Sequence, residues 1–180
     1  MIGVLALQGG FAAHAAILRR LGAEVREVRV PADLEGLGGL VMPGGESTTM
    51  TLGVAREGLG DPLREFAASG RPVFGTCAGM IMLDRDHLGV LDVRCERNAF
   101  GRQTRSFETD LDIDGNPIHA IFIRAPWATE LGPGVEELAA VDGHVVAVRQ
   151  DNVLAVAFHP ELAGETALHE GFLEQVRALA

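Results

Sequence analysis

The sequence predicts an α/β fold: one domain, residues 1–180, with a doubly wound, mostly parallel sheet and an antiparallel extension. Three observations support this prediction. Short apolar runs alternate with segments of helical period in the first half of the chain. Glycine-containing turns follow several of these runs, and hairpin signals dominate the second half. A length of 180 residues also fits a single domain.

The first half begins with the continuous apolar run Ile2–Leu7, which is typical of a buried parallel strand. Phe11–Leu21 then repeats apolar residues on one helical face, and Gly22 follows as a C-terminal glycine. The other elements predicted here are strands at Glu24–Val30, Leu37–Met42 and Pro72–Gly75 and a helix at Leu59–Ser69. Such βαβ repetition predicts parallel strands.

The second half predicts antiparallel hairpins. Asp142-Gly143 is a strong two-residue turn signal, and Gly115 marks a second turn. The predicted strands are Ser106–Ile113, Ile118–Ile123, Glu137–Val141, His144–Gln150 and Val153–Phe158, followed by a helix with Leu168, Phe172, Val176 and Leu179 on its apolar face. We expect all these strands to extend the same sheet.

Composition excludes several functions. The net charge of −10 and the pI near 5.0 argue against binding to nucleic acid or to an anionic membrane. All 15 basic residues are arginines, so lysine imine chemistry and a Walker A lysine are excluded on this chain. Two cysteines without metal-ligand spacing predict neither a disulfide framework nor a metal site. With no basic leader at Met1–Leu7 and no membrane-length apolar stretch, we expect a cytoplasmic protein.

Gly75-Thr76-Cys77-Ala78-Gly79 lies between a predicted strand and a predicted helix. This arrangement has the form of a nucleophile elbow, with cysteine where many hydrolases carry serine. The helix that follows would present backbone N–H groups and a positive dipole end, which favour the thiolate. The alternative is a buried cysteine that acts as a small apolar residue. The two glycines favour the nucleophile.

A cysteine nucleophile needs a base, and the base needs a group to orient it. His159-Pro160-Glu161 follows the last predicted strand. If this segment stays extended, His159 and Glu161 project to the same side, so Glu161 can accept a hydrogen bond from the imidazole. A histidine and a glutamate in a surface loop without any function are the alternative.

Acyl transfer also needs donors for the developing oxyanion. Pro43-Gly44-Gly45-Glu46-Ser47 ends the third predicted strand, at the sheet edge where α/β proteins bind ligands. The backbone N–H groups of this glycine loop and of Ala78 are candidate donors. Ser47 could equally serve to cap the next helix.

Other polar residues give weaker signals. Cys95 is predicted to be structural on a strand. Surface or packing roles are predicted for five histidines: His14, His87, His119, His144 and His169. Arg97, Arg102 and Arg105 form either a solvated face or a group in which one arginine binds a carboxylate.

Together, Pro43–Ser47, Gly75–Gly79 and His159–Glu161 resemble the corresponding segments of class I (triad) glutamine amidotransferases, whose fold is flavodoxin-like. Wider segments are similar to the glutaminase subunits of pyridoxal 5'-phosphate synthase, and the similarity spans essentially the whole chain. These segments are Leu7–Gly9, Pro43–Met50, Phe74–Gly79, Glu96–Gln103, Phe122–Pro126 and Phe158–Glu161.

The resemblance implies specific roles. Cys77 attacks the amide of L-glutamine, His159 protonates ammonia, Glu161 completes the triad, and Gly45 and Ala78 form the oxyanion hole. The implied substrate-binding residues are Gly45, Glu46, Ser47, Arg97, Ile123 and Arg124, with the loop Gln8-Gly9-Gly10 close to the oxyanion hole. No metal or cofactor is implied for this subunit.

The implied partner is a synthase subunit that receives ammonia and makes pyridoxal 5'-phosphate from ribose 5-phosphate and glyceraldehyde 3-phosphate, in a large hetero-oligomer. Three alternatives remain open. The chain could be the glutaminase of another amidotransferase, such as that of histidine biosynthesis, or a cysteine hydrolase or chaperone of the flavodoxin-like superfamily. It could also be a non-catalytic regulatory subunit.

Overall fold

The computed structural model describes residues 1–100 and 106–180. The strands are β1 (Ile2–Leu5), β2 (Val25–Val28), β3 (Gly39–Met42), β4 (Val73–Thr76), β5 (Val93–Glu96), β6 (Ser106–Ile113), β7 (Asn116–Ile123), β8 (Trp127–Leu131), β9 (Glu136–Val141), β10 (His144–Gln150) and β11 (Val153–Val156). The helices are α1 (Phe11–Arg20), α2 (Ser47–Arg56), α3 (Gly60–Ala68), α4 (Ala78–Leu83), α5 (Pro160–Ala163) and α6 (Ala167–Ala178), with a 3-10 turn at Pro31–Leu34. Among these helices α6 has the most residues, 12, and none is long and apolar enough to cross a membrane.

A nine-stranded sheet organises the molecule and confirms the α/β prediction. Its strand order is β2-β1-β3-β4-β11-β10-β8-β5, and β9 pairs with β10. The five strands from β2 to β11 in this order are parallel, and the remaining pairings are antiparallel. All four residues of β1, β3 and β4 are buried, as expected for strands covered on both faces. The predicted antiparallel extension is therefore present, and it contains two strands, β5 and β8, that were not predicted with bounds from the sequence.

One expectation about the sheet is wrong. Strands β6 and β7 do not join the large sheet but form a separate two-stranded sheet. Along β6, Glu108 and Asp110 are exposed while Phe107 packs against Phe122 of β7, with ring centroids 4.5 Å apart. Both carboxylates contact His119 of β7 on this exposed face, and a face with such charged groups stays in water because burying them is costly.

The predicted turn at Asp142-Gly143 is confirmed between β9 and β10. Both residues have positive φ, +50° for Asp142 and +79° for Gly143. A two-residue hairpin of this conformation matches the twist of its strands and favours this sequence.

The parallel strands determine where the chemistry-bearing loops meet. The loops that follow β1, β3, β4 and β11 all emerge at the carboxyl edge of the sheet. They carry Gln8, Gly44-Gly45, Cys77 and His159, respectively. Segments far apart in sequence therefore converge at one edge, where open α/β sheets bind their ligands.

Candidate active site

Cys77 occupies the sharp turn between β4 and α4. Its backbone has φ +49° and ψ −109°, a conformation that is rare for a residue with a side chain. Strain of this kind concentrates at functional sites. The flanking glycines are required by close packing, because a side chain on Gly79 would overlap the backbone of Met42 and one on Gly75 would meet Leu83. Cys77 is therefore held at the start of α4 in a sharp turn that has the form of a nucleophile elbow.

His159 and Glu161 come together through a turn and not through an extended strand. The main chain leaves β11, and α5 begins at Pro160, which occupies the first helical position as proline prefers. In this geometry Nδ1 of His159 lies 2.7 Å from Oε1 of Glu161. The premise of an extended segment is thus wrong, although the contact that it predicted is present.

The ionisation of His159 and Glu161 depends on their neighbours in the site. Burial by itself lowers the pKa of the His159 imidazole, but its side-chain interactions with Cys77 and Glu161 outweigh burial and raise the pKa well above the ordinary value. Burial by itself raises the pKa of Glu161, but the hydrogen bond with His159 and favourable interactions with His14 and His159 lower it. The favoured state of His159 is therefore the imidazolium, which lies between the carboxylate of Glu161 and the sulfur of Cys77.

A cleft of about 370 Å³ opens in front of Cys77 and His159. The sequence-predicted residues that line it are Gly45, Glu46, Ser47, Cys77, Ala78, Arg97, Ile123, Arg124 and His159. Glu161 lies behind His159, where its side chain is only 2% exposed. The structure therefore brings all ten residues of the predicted site together, nine on the wall of the cleft and one behind it.

Glu46 caps the helix that forms one side of the cleft. Its carboxylate accepts hydrogen bonds from the backbone N–H groups of Thr48, at 3.1 Å, and Thr49, at 2.8 Å. The N-cap of α2 is therefore Glu46. The alternative prediction, that Ser47 caps this helix, is wrong. Hydrogen bonds from Thr49 and Thr48 lower the pKa of Glu46 to about 2, so it stays ionised at the mouth of the cleft.

The loop after β3 is tied to the loop after β1. The N–H of Gly10 donates to the carbonyl of Gly44 at 2.9 Å, and the N–H of Glu46 donates to Oε1 of Gln8 at 2.6 Å. A methyl group on Gly44 would lie 2.6 Å from Cε1 of His159, so glycine is needed there for close approach. These contacts bring the Gln8 loop beside the candidate oxyanion donors, where the resemblance implied it.

The opposite side of the cleft is built from two turns. Asn98 and Arg124 both have positive φ, +49° and +45°, and the N–H of Ala99 donates to the carbonyl of Ala125 at 3.1 Å. Sequence reasoning did not assign Asn98 or Ile81 to the cleft. Ile81 could have been found from its position one helical turn after Cys77, whereas no sequence pattern predicts the conformation of Asn98.

Other sequence candidates lie away from the cleft. Cys95 is on β5, and burial raises the pKa of its thiol to about 12, which agrees with a structural role. Arg102 and Arg105 lie outside the described residues. His14 and His169, for which packing roles were among the predictions, are fully buried on the far side of Glu161. Their contact with each other and with the triad had no sequence signal.

Comparison with known proteins gives a consistent result. A family model described as the SNO glutamine amidotransferase family matches residues 4–178. Two curated relatives are both named pyridoxal 5'-phosphate synthase subunit PdxT. The protein from Corynebacterium jeikeium is 52% identical, over 98% of this chain and 97% of the relative. The protein from Deinococcus radiodurans is 51% identical, over 96% of this chain and 95% of the relative.

Solved structures agree with the sequence comparison. A crystal structure of a glutamine amidotransferase superposes with a TM-score of 0.91 at 48% identity, covering 97% of this chain and 98% of the other. PurLQS from Thermotoga maritima superposes with a TM-score of 0.75 at 17% identity, covering 99% of this chain and 97% of the matched chain, which shows a shared fold only.

Proposed function

Because the chain belongs to the SNO glutamine amidotransferase family, we propose that it hydrolyses L-glutamine through Cys77, His159 and Glu161 and supplies ammonia to a synthase subunit. By family and by the shared name of its relatives, the chain is the glutaminase subunit of a pyridoxal 5'-phosphate synthase. The mechanism rests on the arrangement of three side chains. Cys77 lies on a strained turn at the floor of a cleft, His159 lines the same cleft, and Glu161 contacts His159 from behind.

The reaction begins with the Cys77 thiolate, which attacks the side-chain amide carbon of glutamine. The resulting oxyanion accepts hydrogen bonds from the backbone N–H groups of Gly45 and Ala78. The N–H of Ala78 suits this role because it is the first of α4 and needs no partner within the helix.

His159 moves the protons. Its imidazolium donates a proton to the departing nitrogen, which leaves as ammonia and yields a γ-glutamyl thioester on Cys77. The neutral imidazole then takes a proton from water as the water attacks the thioester. Glutamate leaves, and the thiolate and the imidazolium are restored. Glu161 holds the ring orientation and stabilises its charged form through the 2.7 Å contact.

Charged side chains at the mouth of the cleft are complementary to the α-ammonium and α-carboxylate groups of glutamine. The guanidinium of Arg97 lies 3.2 Å from Oγ1 of Thr48 and 3.5 Å from Oε1 of Glu46, with about half of its side chain exposed. Arg97 is therefore available to bind the α-carboxylate, and the anionic Glu46 suits the α-ammonium group. Ser47, Ile123 and Arg124 complete this part of the binding site.

The relatives' name supports a synthase subunit as the partner, and we propose that the two assemble as a large hetero-oligomer. Lysine-dependent imine chemistry would then belong to the partner, since this chain has no lysine. Pyridoxal 5'-phosphate is a product of the complex and not a ligand of this subunit.

The test is ammonia release from L-glutamine, first by this chain alone and then after mixing with the candidate synthase subunit. We expect weak release alone and a large increase on mixing. Equal activity in both samples would still support glutamine hydrolysis by the triad, but it would contradict the assignment of this synthase subunit as the partner. No ammonia from a verified complex would favour the regulatory-subunit alternative.

A further inference from the structure

Two buried histidines lie behind Glu161, on the side away from His159. His14 on α1 and His169 on α6 are both 0% exposed. Nδ1 of His14 lies 2.8 Å from Nε2 of His169, and Nε2 of His14 lies 3.1 Å from Oγ1 of Thr76. The same Nε2 atom is 3.4 Å from Oε2 of Glu161, the oxygen that His159 does not use. A chain of polar atoms thus runs from α6 through α1 to the carboxylate of the triad.

Both histidines are neutral at physiological pH. Burial lowers the pKa of His14 to about 4, although Glu161 raises it in part. Burial likewise lowers the pKa of His169 to about 3. A neutral imidazole has one N–H donor and one acceptor nitrogen, so the pair can carry its protons in only two consistent arrangements.

In the first arrangement, Nε2–H of His169 donates to Nδ1 of His14, and Nε2–H of His14 points at Glu161 and Thr76. In the second, the protons run the other way, so Thr76 donates to Nε2 of His14 and His169 carries its proton on Nδ1. Within the described part of the chain, neither Oε2 of Glu161 nor Nδ1 of His169 has a hydrogen-bond partner of good geometry. A backbone contact with Glu165 raises the pKa of His169, but burial and the neighbouring charges affect that pKa more, and the contact does not reach good hydrogen-bond geometry.

The energetic difference between the arrangements follows from what each leaves unpaired. The second arrangement leaves a buried N–H on His169 and a buried carboxylate oxygen facing the lone pair of His14. The first leaves only a lone pair on His169, and it turns a donor toward the anionic Glu161. Unpaired buried N–H groups are rarer than unpaired acceptors, and an ionised oxygen attracts the donor strongly.

We propose that His14 is a positioning residue for the triad: its Nε2–H is directed at Oε2 of Glu161, and His169 fixes the tautomer that makes this possible. The inference rests on the proposed glutaminase function. With one oxygen facing His14 and the other bonded to His159, the carboxylate of Glu161 has a single orientation. The donor also keeps that buried carboxylate ionised, so it can stabilise the imidazolium that forms during turnover.

The positioning role of His14 should be visible in the acid limb of the pH profile of glutamine hydrolysis. The charged and titratable groups that face Glu161 and the histidine pair are His159 after β11, Cys77 after β4, His14 and Arg20 on α1, and His169 on α6. Burial acts to raise the pKa of Glu161, and an N–H of neutral His14 directed at Oε2, 3.4 Å away, would oppose this by stabilising the charged carboxylate. Loss of the donor therefore raises the pKa of Glu161 and moves the loss of activity at low pH upward.

The experiment compares His14→Leu with His14→Gln in the assembled complex, because glutamine retains an N–H donor near the Nε2 position. For His14→Leu we expect kcat for glutamine hydrolysis to fall on the order of 10- to 100-fold with little change in KM. We also expect its acid limb to move up by about one pH unit. His14→Gln should restore the wild-type acid limb and most of kcat. His169→Leu should reproduce a weaker form of the His14→Leu effect.

Folding is checked by thermal melting and by complex formation of each variant. A purely structural role would lower the melting temperature of His14→Leu and leave its pH profile unchanged, which would overturn the proposal. If His14→Leu does not fold, ¹⁵N NMR of the wild-type chain identifies which ring nitrogen of His14 carries the proton. The His169→Gln variant is used to assign the histidine signals. A proton on Nε2 of His14 supports the proposal, and a proton on Nδ1 overturns it. Absence of glutaminase activity in the wild-type complex would count against the proposed function, whereas the tautomer would still test the histidine pair.

Discussion

The two sides of His159 are built differently. On the cleft side, Arg97 and Glu46 have half-exposed side chains that are 3.5 Å apart. On the far side, Glu161 is 2% exposed and His14 is 0% exposed. An ion pair in water contributes little energy and is easily exchanged for a substrate carboxylate, whereas buried polar groups are costly to rearrange. The cleft side is therefore suited to binding and release, and the far side to holding one geometry.

The largest expected effect comes from Cys77, which lies on the cleft side of His159. Cys77→Ala removes the proposed nucleophile, and we expect glutamine hydrolysis by the complex to fall on the order of a millionfold. Cys95→Ala is the matched control, because Cys95 lies on β5 and its thiol has a pKa raised to about 12. Ammonia release by both variants measures the difference. Equal loss in the two variants would show that the effect is structural.

Glu161→Gln tests the buried side directly. The amide keeps the shape of the carboxylate but can present a donor to His159, which favours the wrong tautomer of the ring. We expect kcat to fall about 10³- to 10⁴-fold while KM changes little. The exposed Glu174→Gln on α6 is the control for loss of one negative charge. If both variants kept wild-type kcat, the far side would have no part in the chemistry.

The same contrast explains what could be predicted from the sequence. Cys77 and Gly45 follow strands at glycine turns, and this local pattern was sufficient to assign them to one edge of the sheet. His14 and His169 meet through the packing of α1 against α6, which depends on residues 155 positions apart in sequence. No periodicity in either helix encodes such a pair, so only tertiary structure reveals it.

The hairpin of β6 and β7 illustrates a second limit. The turn signal at Gly115 predicted a strand on either side of it, with nearly the observed bounds. Whether the hairpin pairs with the main sheet depends on which strand edges of that sheet are unpaired. The sequence of a single strand does not contain this information. The separate two-stranded sheet could therefore not be distinguished from an extension of the main sheet.

Gly44→Ala tests whether the two sides must approach closely at His159. The added methyl group would lie 2.6 Å from Cε1 of His159 and 3.2 Å from Cβ of Cys77, so the ring has to move. Displacement of a reacting group by about 1 Å reduces the rate on the order of 100-fold, and we expect kcat to fall by that amount. Gly171→Ala on α6 is the control, because its methyl group would meet no atom within 4 Å among the described residues. A wild-type kcat for Gly44→Ala would mean that the loop shifts without cost.

The smallest effect is expected on the cleft side. Arg97→Ala removes a half-exposed guanidinium that we assign to the α-carboxylate of glutamine. Because that contact is the same in substrate and transition state, KM should rise about 10- to 100-fold while kcat stays near the wild-type value. The exposed Arg177→Ala on α6 controls for the change in net charge. A fall in kcat with an unchanged KM would place Arg97 in the chemical step, and the division between a binding side and a geometry-holding side would then no longer describe this site.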